Sequence, residues 1–249
     1  MDPQATAINF GAPFAIFRED PDWMKKVAIV AVCILIPLVG AFQLIGYGHR
    51  CYAHARAGEK GLPNPVLGED IGTGFFDWLK MLGNIFPVMI IMWAVVFGCM
   101  FGGTMLGTLV AGAGGAAGGP DSGAAAAGGG IGAIIMMVSM LGGYLAIFVF
   151  AFFFGILSID MTRRIYNGET FPMFSPSGTI GAIKRAPMAF VMTWLLLMLS
   201  GMIGSLGIIV CYVGILATLP LATVLRALSL AEWDRVVKAT TPDPIETGY

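Results

Sequence analysis

Formal charge is the scarcest feature of this chain. Only 12% of its 249 residues are Asp, Glu, Lys or Arg, against 57% hydrophobic, where a soluble domain carries about 25% charged and 45–50% apolar residues. That shortage excludes an ordinary soluble globule and a disordered chain. Basic charge is not in excess either, with a net charge of −1 and a pI near 6.1, so nucleic acid is not an expected partner. Only four cysteines occur, Cys33, Cys51, Cys99 and Cys211, and none forms a CxxC pair. They read as small buried hydrophobes, not as a disulfide or metal framework. The two histidines, His49 and His54, point about 140° apart on a helix and cannot chelate one ion together. No P-loop, HExxH, GxSxG or Rossmann fingerprint is present. Enzymatic activity, a cofactor and a bound metal are therefore not expected.

What is present is long charge-free runs. No Asp, Glu, Lys or Arg occurs in 27–48, 81–120, 122–159 or 186–225, together 140 of 249 positions. A bilayer core needs roughly 20 apolar residues per helix, so the expected fold is an all-α integral membrane protein with four or five transmembrane helices. Residues 1–26 read as an interfacial entry, with Trp23 beside Lys25 and Lys26. A first membrane half covers 27–110, with a polar loop at 48–80 and a span starting near Leu82. Pro37 either kinks the segment 27–47 or splits it into a re-entrant pair. Residues 111–130 hold nine Gly and eight Ala and read as a flexible linker. The second half covers 131–230, with a polar loop at 160–186 and a tight turn expected near Ser200–Ser205. Residues 231–249 form a tail. Lys and Arg concentrate in both loops and the tail, which predicts a cytoplasmic location for all three.

The halves echo each other. Gly58, Glu59 and Pro63 in the first loop correspond to Gly168, Glu169 and Pro172 in the second, each after a basic residue that ends an apolar span. Downstream, Pro87 and Pro187 each precede a Met and a Trp, and both prolines are expected in the first turn of a helix. With both loops on one side, the two weakly related halves would be parallel repeats.

Glycine is frequent, 35 of 249 residues. Gly98/Gly102, Gly103/Gly107 and Ser200/Gly204 are small-xxx-small pairs that let helix backbones approach closely, within one subunit or between subunits. Three Met pairs, Met136/Met140, Met188/Met192 and Met198/Met202, would stack thioethers on one face, a spacing open to Cu(I), but core filling is the stronger reading, since Met is a common gap-filler in apolar cores. No ionisable residue falls at mid-bilayer in any span, and none is expected to be buried.

One block carries a resemblance. Asp20-Pro21-Asp22-Trp23-Met24-Lys25-Lys26, the span with Ile36-Pro37, Gly46-Tyr47, Arg56-Ala57-Gly58-Glu59, Leu62-Pro63 and Asp77-Trp78-Leu79-Lys80 together resemble domain-of-unknown-function family 4013, over about residues 17–95. The second half matches only in general character. The resemblance implies a multi-span protein of the prokaryotic cytoplasmic (inner) membrane and carries over no catalytic or ligand residues. The expected function is a non-catalytic membrane subunit or scaffold, in a larger complex or a homo-oligomer, with membrane lipids and other subunits or itself as partners. The alternative is a channel or carrier for a small solute.

Overall fold

The computed structural model describes residues 8–118, 123–172, 176–209 and 212–240. Among these it is all-helical: α1 (Ala12–Glu19), α2 (Trp23–Cys33), α3 (Pro37–Arg56), α4 (Leu67–Gly118), α5 (Gly123–Tyr166), α6 (Pro176–Arg185), α7 (Pro187–Ile209) and α8 (Tyr212–Ala239). Four stretches, Leu67–Gly114, Ala127–Tyr166, Pro187–Gly207 and Gly214–Ala239, are long and apolar enough to cross a membrane. The protein is an all-α membrane protein.

The chain divides into two units, Met1–Asn84 with Leu157–Tyr249, and Ile85–Ile156. In the first, α8 is the central element and packs against α7, α3, α2 and α1. Its Val224, Leu230, Trp233 and Val236 are fully buried, with Tyr47 of α3 and Ile165 of α5. In the second, α4 and α5 run antiparallel along a seam of small residues.

Segment 27–47 is split. The ring of Pro37 disfavours helical geometry at the residue before it, and Ile36 is extended, with φ −103° and ψ 102°. α2 closes in i→i−3 bonds from Ile34, Leu35 and Ile36. α3 restarts at Pro37, where a missing N–H costs nothing. A methyl on Gly40 would overlap Ile34 and the Cys33 carbonyl, so only glycine lets α3 leave the break so close to the end of α2. The entrance of α2 meets the loop leaving α3: Lys26 Nζ donates to Leu62 O at 2.5 Å. Tyr47, midway along α3, donates its hydroxyl to Pro63 O at 3.1 Å.

Several expectations are corrected. Residues 111–118 and 123–130 are helical, not linker; positions 119–122 lie outside the described residues. Alanine is the best helix former, and the glycines serve close packing: Cβ atoms on Gly128 and Gly132 would lie 2.7 Å from Gly114 Cα and 2.5 Å from Gly107 O. The helix expected from Leu82 begins at Leu67, so Pro87 is interior to α4 and not in its first turn. Pro187 does open its helix. The turn expected near Ser200 is helix too: α7 continues to Ile209, and the Ser200 hydroxyl donates to Ala222 O of α8 at 2.9 Å. Residues 231–239, read as tail, complete α8 and contribute Trp233, Val236 and Val237 to the core.

Candidate functional site

The repeat loops are built alike. α3 and α5 both end on a left-handed glycine, Gly58 at φ 75° and Gly168 at φ 94°. Gly58 N–H donates to Ala55 O at 3.0 Å and Glu59 N–H to His54 O at 3.2 Å; Gly168 and Glu169 bond Ile165 O and Arg164 O at 2.9 and 3.0 Å. This paired pattern is a Schellman ending, which satisfies carbonyls the helix leaves orphaned. In each, the side chain after the glycine folds back on the base at the start of the motif: His54 Nδ1 lies 2.6 Å from Glu59 and Arg164 Nη2 lies 2.6 Å from Glu169. The same base also reaches the loop, His54 at Lys60 O and Arg164 at Pro172 O. Pro63 supplies the carbonyl for Tyr47.

Between these loops lies what was not expected: buried ionisable side chains. Asp70, Asp77, Asp160 and Asp234 are at most 1% exposed. A buried carboxylate is tolerated only when paired and hydrogen-bonded, and each of these is. Asp70 accepts from Gln43 Nε2 at 3.0 Å, Arg50 Nε at 2.6 Å and Val66 N–H at 2.8 Å. Asp77 takes His49 Nδ1 at 2.5 Å, with Lys80 at 3.4 Å on its other oxygen. Asp160 takes Arg163 at 2.7 Å and the Thr179 hydroxyl at 2.7 Å. Asp234 collects Arg163 at 2.8 Å, Lys238 at 2.6 Å, Arg56 at 3.5 Å and the Asn167 amide at 3.0 Å. Arg56 also hydrogen-bonds Asn167 Oδ1, so Asp234 joins the two Schellman motifs through the residues just ahead of Gly58 and Gly168. The histidines thus serve separate acids, as their divergence on the helix requires.

Asp20 forms a further buried pair, with Lys26 at 2.8 Å. Its carboxylate also accepts from Leu62 N–H at 2.8 Å and Asp22 N–H at 3.0 Å. Burial alone raises the Asp20 carboxyl, but these three hydrogen bonds outweigh it and hold it below the usual carboxylate range. Burial pushes the Cys51 thiol up to about 12, which makes it a poor nucleophile.

A cleft of about 590 Å³ opens between α1, the loop after α3 and the end of α8. Pro13 and Ile16 form an apolar wall with Leu228, and Arg56, Asp234 and Lys238 form a charged one. Among the described residues no three His, Cys, Asp or Glu side chains are grouped so that they could hold a metal ion.

The small-residue pairs divide. Gly107 is pressed against Gly132 O, 2.7 Å from where its Cβ would be, and Gly103 against the Ser139 side chain. Gly204 faces Ala222 at an ordinary 3.4 Å, while Gly98 and Gly102 face open space. The closest approaches are elsewhere: methyl groups on Gly46 and Gly74 would overlap the backbone carbonyls of Asp70 and Phe42. No repeated spacing marks these two in the sequence. Among the Met pairs, Met188, Met198 and Met202 are exposed, and Met136 packs beneath Gly107.

A family model described as protein of unknown function (DUF4013) matches residues 29–213. The chain belongs to the DUF4013 family. The DUF4013 match runs through α7, so the second half, whose motifs resemble the family only loosely, belongs to it as well. The Asp20–Lys26 block that opens the resemblance falls before the matched range. No curated protein and no solved structure matches the chain.

Proposed function

We propose that this protein is a non-catalytic integral membrane subunit or scaffold, assembling with other subunits or with itself through the hairpin 85–156. One observation carries the reading: the charge-free part of α4 is too long for a bilayer. From Met81 to Gly118 it measures about 57 Å at ~1.5 Å per residue, against a hydrocarbon core of about 30 Å. Fitting it by tilt alone would take more than the ~40° that spanning helices adopt. With Lys80 and Asp160 at one interface, about 20 residues of each helix fill the core, ending near Phe101 on α4 and Met140 on α5. Beyond those points lie the close glycine contacts and the exposed Leu106, Leu109, Ile131 and Ile134. Apolar side chains outside lipid need a protein cover. Acids are buried, contrary to expectation, and the overlong apolar hairpin is what supports this reading.

The membrane is the prokaryotic cytoplasmic one, with loops 48–80 and 160–186 and the C-terminus inside. The contact of Lys26 with Leu62 supports a re-entrant α2–α3 hairpin, which brings Arg18, Lys25 and Lys26 to the same side as the other cations. The split also supports the second reading, a carrier or channel for a small solute, because broken helices line solute sites in transporters.

Native mass spectrometry of the protein, gently solubilised from its host membrane, tests the proposal. A defined complex or homo-oligomer that is lost in Leu109→Glu/Ile134→Glu supports it. A monomer unaffected by those changes sinks it and leaves the solute pathway as the better account.

A further inference from the structure

We propose that the cleft between α1 and the ends of α3 and α8 binds a phosphate ester, with Arg56 and Lys238 as its anion-binding pair. The proposal is independent of the scaffold reading. Two features of the cleft carry it.

The first is the charge balance at its inner end. Asp234 is fully buried, and its Oδ1 accepts from Arg163 at 2.8 Å and Asn167 at 3.0 Å. Its Oδ2 makes no hydrogen bond among the described residues and is faced by Lys238 at 2.6 Å and Arg56 at 3.5 Å, both of which line the cleft. Three cations therefore meet on Asp234, and the one other carboxylate bound to them, Asp160, is on Arg163. Arg163 is 11% exposed, whereas Arg56 and Lys238 are 44% and 49% exposed and line the cleft. The exposed parts of Arg56 and Lys238 thus face the opening, in a lining whose four bases and four acids balance formally. Arg and Lys side by side are what a phosphate oxyanion needs, a planar fork and a point charge.

The second is the remainder of the lining. Ala12, Pro13, Ile16 and Leu228 give it an apolar wall, suited to the carbon body of an ester and not to a bare ion. The acids at the rim are Glu59, held by His54, Glu232, held by Arg235, and the exposed Glu19. With Lys60 beside them, the rim carries both signs, so it tolerates an ester that also bears an amine. A phospholipid headgroup and a soluble phosphate ester present the same chemistry here.

The test uses full-length protein in a non-phosphate detergent and buffer. Short-chain phosphatidylethanolamine, soluble phosphoethanolamine and short-chain diacylglycerol are titrated, with bound ligand counted by native mass spectrometry. Saturable binding of the lipid, weakened about tenfold in Lys238→Gln and in Arg56→Gln but unchanged in the remote Lys184→Gln, is the expected result. Binding of the lipid alone assigns the site to a headgroup; binding of both phosphates assigns it to soluble esters as well. Lys60→Gln, which touches no buried carboxylate, serves as a further variant that leaves the ionic core intact, with a smaller loss of about two- to threefold. The proposal is overturned by diacylglycerol binding as tightly as the phospholipid, by unchanged affinity in folded Lys238→Gln, or by no saturable phosphate binding.

Discussion

Lys26 Nζ and the Leu62 carbonyl oxygen lie 2.5 Å apart, although 36 residues separate them. The contact ties the start of α2 to the loop after α3, so the chain between them goes out and comes back. α2 has 11 residues, about 16 Å at ~1.5 Å each, half of a bilayer core. Its tip presents Val32, Leu35, Ile36 and Leu38 outward, the apolar surface that lipid accepts.

A topology experiment follows from that contact. In a variant freed of native cysteines, single cysteines at Lys25 and at Lys60 should react with a membrane-impermeant maleimide from the same side. Inverted vesicles should label both and right-side-out vesicles neither. Labelling from opposite sides would mean that segment 27–47 crosses the membrane.

The Asp20 pair sets an acid dependence. Its folded carboxyl lies below the ordinary value, so the stability it contributes is present above the unfolded value of about 3.9 and is lost as pH falls through the folded one. Asp20→Asn should cost about 1.5–3 kcal/mol at neutral pH, as for hydrogen bonds to a charged group. Thermal unfolding of both proteins should show the gap closing below about pH 4. A gap that stays constant from pH 7 to pH 3 would count against the pair.

Glycine positions should separate by where they face. Gly74→Ala places a methyl against the Phe42 carbonyl, a backbone atom that cannot swing away, and should cost about 1–3 kcal/mol or more. Gly102→Ala meets nothing and should be neutral or stabilising by up to ~1 kcal/mol, as alanine is the better helix former. Unfolding midpoints measured in one detergent decide it; equal losses would refute the close α3–α4 approach.

How much of the structure is legible in the residues depends on range. Local rules succeed where the cause is local: Pro37 breaks its helix because a proline ring acts on its nearest neighbours, and Gly58 and Gly168 take left-handed geometry where a helix has to stop. The long charge-free runs announce a membrane protein because the bilayer tests each helix separately. The carboxylate pairings are not legible, since Asp70 meets Arg50 across 20 residues and Asp234 meets Arg163 across 71, and no periodicity links such positions. Acids outside the apolar runs look solvated in the sequence; helices α3, α4, α5 and α8 extend past those runs and bury them. Residues 111–130 mislead because Gly and Ala are ambiguous by composition, flexible in water yet suited to tight helix packing once a partner helix is beside them.

The ionic core offers the sharpest quantitative test, because two of its cations differ in burial and distance from one carboxylate. Arg163 is 11% exposed and 2.8 Å from Asp234; Arg56 is 44% exposed and 3.5 Å away. Removing one partner of a buried pair typically costs about 3–5 kcal/mol, because the other charge is left uncompensated, whereas a pair open to solvent contributes about 0–1 kcal/mol. Arg163→Gln should therefore destabilise strongly and Arg56→Gln weakly. Asp234→Asn should lose most of its penalty when made in the Arg163→Gln background and little of it in the Arg56→Gln background. Double-mutant cycles on thermal unfolding measure both couplings. Equal couplings would mean that Arg56 is held by Asp234 as firmly as Arg163 is, and would count against its availability to a phosphate.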